Sequence, residues 1–227
     1  MAQPVAVYLE IGPKRTFASA VEWPGWSRSG RGEDEALTAL AAYSQRYAAV
    51  TAGSGLAFDS STDFEVVERL EGGSGTDFGV PSRAPRADER PLNDAELDRQ
   101  SRLLAASWAA FDAAWHEADD AGVELRKGPR GGGRDLPKME NHVLEAEEAY
   151  LAQLGSRWPR IPGATVADRM AVVRATALDA LAARARGQPI ADPRQTKRPW
   201  SPRYFTRRSA WHALDHAWEI EDRSTPG

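Results

Sequence analysis

Ser201-Pro202-Arg203-Tyr204-Phe205-Thr206-Arg207-Arg208-Ser209-Ala210-Trp211-His212-Ala213-Leu214-Asp215-His216-Ala217-Trp218-Glu219-Ile220-Glu221-Asp222-Arg223 reads as a single helix, and it sets the architecture of the C-terminal half. Serine before proline is an N-cap and first-turn pairing: the hydroxyl accepts a free backbone N–H, and proline has none to waste. Three earlier segments share this helical character. Thr165 with Asp168 opens one that carries Val166, Met170, Val173, Ala177 and Leu181 and ends at Gly187. Asp135 and Pro137 open another, with Met139, His142, Val143, Ala146, Tyr150 and Leu154, stopped by Gly155. Asn93 with Glu96 caps the first, and Leu97, Ser101, Leu104, Trp108, Phe111, Trp115 and Ala118 keep a three/four spacing until Gly122. Four amphipathic helices joined by polar loops predict an all-α four-helix bundle over residues 93–227.

Upstream, the pattern changes. Gly72-Gly73-Ser74-Gly75 is followed by Pro81, Pro85 and Pro91 among charges, a composition with many turn formers and little to bury. Residues 76–92 are therefore expected to be a linker or long exposed loop, and 93–227 to fold and bind metal without what precedes it. Residues 1–75 read as a separate α+β unit. Val5, Val7, Leu9 and Ile11 alternate as in a half-buried strand, Gly12-Pro13 turns the chain, and Phe17, Ser19, Val21 and Trp23 suggest a second strand. Pro24-Gly25 turns again, into a short strand around Trp26-Ser27-Arg28. Glu33 to about Thr51 reads as one helix with carboxylates at its positive end, and Phe64 to Leu70 as a closing strand. The order is ββαβ or βββαβ.

Composition narrows the function. The 227 residues include no cysteine, which excludes disulfides, thiolate zinc sites, iron–sulfur clusters and cysteine nucleophiles. Any metal would rest on histidine, carboxylate or water. Charge is nearly balanced, with 29 Lys+Arg against 33 Asp+Glu. Residues 1–92 hold 9 basic and 13 acidic side chains and the remainder 20 of each, so neither half offers a bulk positive field for nucleic acid. Met1-Ala2-Gln3-Pro4 lacks the start of a signal peptide, and no apolar run approaches a membrane span, so a cytoplasmic protein is expected. Arginine outnumbers lysine 25 to 4, which together with abundant alanine points to a GC-rich, actinobacterial-type genome.

The chemistry is concentrated in the histidines. His212 and His216 are four apart, so both leave one face of the last helix a turn from each other. His142 lies on the apolar stripe of the second helix and is expected to point inward. That placement suits either a metal site or histidines packed and hydrogen-bonded between helices. His116, in Trp115-His116-Glu117, falls beside the stripe and reads as a surface residue. No Ser-His-Asp motif, phosphate-binding loop or dinucleotide fingerprint is present.

Two resemblances bear on these stretches. Trp23-Pro24-Gly25-Trp26-Ser27-Arg28-Ser29-Gly30, followed by Glu33-Asp34-Glu35-Ala36-Leu37, resembles the HicB-like small α+β domain, which would make the N-terminal unit an accessory or dimerising module. His142-Val143-Leu144-Glu145-Ala146-Glu147-Glu148-Ala149-Tyr150-Leu151, taken with Trp211 to Glu219, resembles the DinB-like metalloprotein superfamily. This second resemblance implies that His142, His212 and His216 ligate a divalent metal, zinc first and nickel next, in the bundle. It also implies a thiol S-transferase activating a low-molecular-weight thiol, mycothiol for an actinobacterial source, against an electrophilic substrate. The alternatives are a metal-dependent hydrolase, or a non-catalytic metal-stabilised binding protein whose HicB-like domain engages a partner. The expected partners are thus a thiol and an electrophile, with no nucleic acid and no membrane, and a homodimer is left open. Carboxylates near the ligands, Glu145, Asp215 and Glu219, are candidates to orient them, or else solvated helix-face charges. Two basic stretches flank the ligands. Arg130 and Arg134 sit around Gly131-Gly132-Gly133, and Arg203 and Arg207 at the start of the last helix; these four are candidate contacts for an anionic substrate or thiol.

Overall fold

Alternating apolar residues make Val5–Ile11 (β1) an inner strand of a four-stranded sheet ordered β3-β2-β1-β4. Its partners are Thr16–Ala20 (β2, antiparallel) and Phe64–Glu71 (β4, parallel), and Ser27–Gly30 (β3) pairs antiparallel with β2. The computed structural model describes residues 3–127 and 133–224. Between β3 and β4 run Glu33–Ala42 (α1) and Ser44–Ser54 (α2); after β4 come Ser74–Phe78 (α3) and a 3-10 turn at Arg86–Glu89. Four long helices follow: Asp94–Asp120 (α4), Leu136–Leu154 (α5), Val166–Ala185 (α6) and Pro202–Ser224 (α7). The chain is thus mixed α and β, a sheet followed by helices, in the longer of the two strand orders the sequence allowed.

One expected helix is two. The carbonyl of Leu40 accepts the Trp26 indole N–H at 3.0 Å and the Tyr43 N–H at 3.2 Å, so the i→i+4 ladder closes early and restarts at Ser44. The long helices begin where their caps lie. Asn93 and Glu96 exchange bonds of 2.9 and 3.0 Å, Asp135 accepts from the Lys138 N–H at 2.9 Å, and Thr165 pairs with Asp168 in the same way. Leu104, Phe111, Met139, Val143, Leu151, Val173, Leu181 and Phe205 bring all four helices into one apolar cluster. Arg174 of α6 ties α5 and α4 together, bonding Glu147 at 3.0 Å and Asp112 at 2.7 Å.

Sequence spacing suggests an amphipathic α7 with a wet face, but every residue from Arg203 to Leu214 is buried. The reason is that α7 is covered by the sheet as well as by helices. Side chains alternate across a strand. From β1 and β2, Val7, Leu9, Ala18 and Ala20 join Trp26, Leu40 and Tyr47, and Leu214 and Trp218 of α7 belong to that cluster. On the opposite face Phe17 meets Trp211 edge-on at 6.2 Å, and the Arg207 guanidinium lies 5.3 Å from the Tyr8 ring. Two cations of α7 are consumed internally. Arg207 forks onto Asp88 at 2.7 and 2.8 Å and donates to the carbonyls of Ala20 and Val21, while Arg203 pairs with Glu96.

The 76–92 stretch, expected as an exposed linker, is packed at Thr76, Pro81, Pro85, Asp88 and Leu92 and partly or fully exposed between them. Buried Glu10 on β1 accepts the Ser82 and Arg83 N–H groups, each at 2.9 Å, together with the Thr76 hydroxyl. Asp88 is only 1% exposed, and Leu92 enters the core of the long helices. Asp88 looks solvent-exposed in the sequence because its partner Arg207 stands 119 positions away. No helix among the described residues is long and apolar enough to cross a membrane.

Candidate metal centre

His212 and His216 leave α7 one turn apart, and α5, packed on α7, presents His142 to both. Ring centroids are 5.0 Å apart for His142–His212, 4.9 Å for His142–His216 and 4.6 Å for His212–His216. One nitrogen from each ring lies within 4.8 Å of the other two. The Nε2 atoms of His142 and His212 are 3.2 Å apart. Nitrogens bonded at about 2.0–2.1 Å to a tetrahedral ion sit about 3.3–3.4 Å from each other, so this pair already has nearly the edge length of a metal site. His212 and His216 are buried and His142 is half-buried, which leaves the approach from the α5 side.

The third ring is held by a relay. Glu219 Oε2 stands 2.9 Å from His216 Nδ1, so Nε2 is the nitrogen His216 has to offer a metal. The other carboxylate oxygen accepts from Arg223 at 2.8 Å, and Arg223 donates to the carbonyls of Arg126 and Arg134 at 2.6 and 2.8 Å. A Cβ on Gly133 would fall 2.6–3.1 Å from that guanidinium, and the residue has φ +138°; glycine is what lets the chain before α5 come this close. Burial pulls the Glu219 carboxyl up, but its bonds from His216 and then Arg223 outweigh this and hold it below its ordinary range.

Electrostatics favour the neutral form of two of the three rings. Burial first, then the neighbouring His216 and Arg134, push His142 down to about 4. Burial, followed by His216, His142, Arg208 and Arg134, drives His212 well below the ordinary histidine value. Neutral imidazoles with free lone pairs are what a metal requires of histidine. The donor set, its spacing and the lowered His142 and His212 all fit a divalent ion.

The remaining sequence candidates divide. Glu219 orients a ligand, as just described. Asp215 does not: it bonds Arg28 at 3.0 Å and fastens α7 to β3. Glu145 is exposed on α5 and bonds none of the histidines. Arg203 and Arg207 are buried in the pairs with Glu96 and Asp88, so they are structural cations rather than anion contacts. Arg134 is exposed beside the site, where its charge acts on His142 and His212, whereas Arg130, Gly131 and Gly132 lie outside the described residues. His116 is exposed on α4, stacked edge-on against Trp115 and apart from the cluster. Two neighbours complete the surroundings: Tyr150, whose ring is 5.7 Å from that of His212, and Arg208, which donates to the Tyr150 hydroxyl at 3.0 Å. Their signal was helical spacing, Arg208 four before His212 and Tyr150 eight after His142. No protein-family model, no curated protein and no solved structure matches this chain.

The depressed histidines make stability depend on pH. Unfolded histidines take up protons near 6.5, whereas folded His142 does so only near 4 and folded His212 lower than its ordinary value. Below pH 6.5 the unfolded chain gains protons that the native chain refuses, so stability present above that pH is lost as pH falls toward 4. The urea midpoint of metal-free protein should therefore drop between pH 7 and 5, and less steeply in His142→Gln. Equal slopes in the two proteins would contradict this assignment.

Proposed function

We propose that the chain is a metal-dependent enzyme of the DinB-like type, with α4–α7 as its four-helix bundle and the HicB-like sheet as an accessory module. In this reading His142, His212 and His216 hold zinc, or failing that nickel, and the reaction is transfer of a low-molecular-weight thiol of the mycothiol type to an electrophile. The supporting observation is the convergence of three histidines from two helices within 4.8 Å. When bound, the ion would supply a thiol or water with a lowered pKa, and hence a nucleophile at neutral pH. The chain's own contribution is distinct. Three neutral ligands add no negative charge, so the ion keeps its full field, and they leave a coordination position for a small molecule. Glu219, anchored by Arg223, fixes the ring of His216 and makes it a stronger donor. The half-buried edge of His142 keeps one side open to small molecules while α7 and the sheet close the other. A reducing cytoplasm fits both a reactive thiol substrate and a chain without cysteine.

The test begins with elemental analysis of protein purified without added metal, which should show stoichiometric zinc or nickel that a chelator removes. Thiol depletion is then followed against a panel of electrophiles, mycothiol first. Absence of metal at any loading overturns the proposal. Bound metal without thiol consumption replaces thiol transfer by hydrolysis through water, or by a metal-stabilised binding protein whose sheet domain engages a partner.

A further inference from the structure

Among the described residues four arginines are buried: Arg203, Arg207, Arg208 and Arg223, all on α7. Three have a carboxylate, Glu96, Asp88 and Glu219 respectively. Arg208, 6% exposed, has none among the described residues. Its guanidinium donates to the Pro81 carbonyl at 2.7 Å and the Tyr150 hydroxyl at 3.0 Å, and stacks 4.8 Å from the Trp211 ring. Two of its five N–H donors are thereby used. A buried cation without a counter-ion is costly, so the exception among the four calls for a negative partner.

The neighbouring indole is a donor as well. The Trp211 indole Nε1 is buried without a partner among the described residues. The Tyr150 oxygen receives the Arg208 bond, which leaves its own O–H to donate. Arg208, His212 and His216 follow one another a turn apart on α7, and Tyr150 and His142 face them from α5 in antiparallel order. His142, Ala146 and Tyr150 are half-buried, so this seam opens toward solvent along α5.

We propose that Arg208, with the Tyr150 hydroxyl, binds the carboxylate of a ligand whose reacting end lies at the three-histidine cluster. The substrate class is thus a small carboxylic acid, or a thiol bearing a carboxylate. The inference rests on the metal-site reading only for what happens at the far end of that ligand. A flat carboxylate suits the fork of a guanidinium already fixed by two bonds.

The experiment uses the full chain without metal, so that it stands apart from thiol chemistry. Melting is followed with rising butyrate, with butyramide as the uncharged isostere, and with chloride and inorganic phosphate at matched ionic strength. Butyrate should raise the midpoint saturably and the other three should not. Arg208→Gln should weaken butyrate binding roughly 10-fold or more, the loss of a charged hydrogen-bond donor. Tyr150→Phe should weaken it by less. If Arg208→Gln fails to fold, the butyrate and butyramide pair on the wild type together with Tyr150→Phe decides. Stabilisation by butyrate no greater than by chloride, a stronger effect of phosphate, or unchanged binding in the folded variants overturns the carboxylate site. Butyrate binding in a chain that never takes up metal would instead sink the metal reading and leave this one standing.

Discussion

A fragment beginning at Asn93 is expected to be insoluble or to melt without cooperativity, despite carrying all four long helices and every candidate ligand. Removing residues 1–92 strips Phe17 from Trp211, and Trp26 and Leu40 from the cluster holding Leu214 and Trp218. Re-exposing a large apolar side chain costs about 2 kcal/mol, and Trp211, Leu214 and Trp218 would all be affected. Arg207 loses Asp88 and the carbonyls of Ala20 and Val21 together, and a buried pair broken on one side costs about 3–5 kcal/mol. Arg46 of α2 and its 2.8 Å bond to Asp222 go as well. Against a total stability of about 5–15 kcal/mol, these losses are enough to unfold the fragment. Circular dichroism and thermal melting of the purified fragment provide the measurement. A soluble fragment with a cooperative melt would show that the sheet only decorates α7. Adding residues 1–92 as a separate chain should restore folding if the interface is what the fragment lacks.

That outcome opposes the expectation drawn from sequence, and the contrast shows what sequence carries here. Helix starts were legible because their signals are local: Asn93 with Glu96, Asp135 with Pro137, Thr165 with Asp168 and Ser201 with Pro202 each sit within one turn of the helix they open. The strands were legible for a similar reason, since alternation in Val5–Ile11 is written within seven residues. What was not legible depends on distant partners. Asp88 in a proline-rich charged stretch looks like solvent exposure until Arg207 is placed against it, 119 positions on. The break at Tyr43 needs Trp26 to reach the Leu40 carbonyl from a strand turn. Within the candidate site, the three histidines could be grouped because helix periodicity and an inward stripe put them on facing surfaces. Glu219 could be singled out from Asp215 only in three dimensions. Both stand within three residues of His216, but only Glu219, at i+3, meets the ring, while Asp215 turns toward Arg28.

His216→Ala is expected to remain helical and soluble, to lose its metal, and with it any thiol transfer. Folding should survive because the core of the long helices is apolar and complete without an ion: Leu104, Phe111, Met139, Leu144 and Leu151 are all essentially inaccessible to solvent. In a fold nucleated by metal, deleting a ligand abolishes the structure; in one that stands by itself, it lowers metal affinity. The size of the effect separates ligand from support. Replacing a residue that only orients a ligand costs about 10–100-fold in metal affinity, so Glu219→Gln should fall in that range and His216→Ala should exceed it. Glu219→Gln keeps a hydrogen-bonding side chain but removes the charge that favours the His216 Nδ1–H, and it weakens the hold of Arg223. His116→Ala, on the exposed side of α4, should leave both metal and activity at wild-type levels. Competition titrations with a chromophoric chelator, read beside circular dichroism, give affinity and fold in one set of samples. Wild-type affinity in His216→Ala would remove that residue from the ligand set. Wild-type affinity in Glu219→Gln, with His216→Ala metal-free, would leave the three ligands in place and reduce the Glu219–Arg223 relay to a fastening between α7 and the chain before α5.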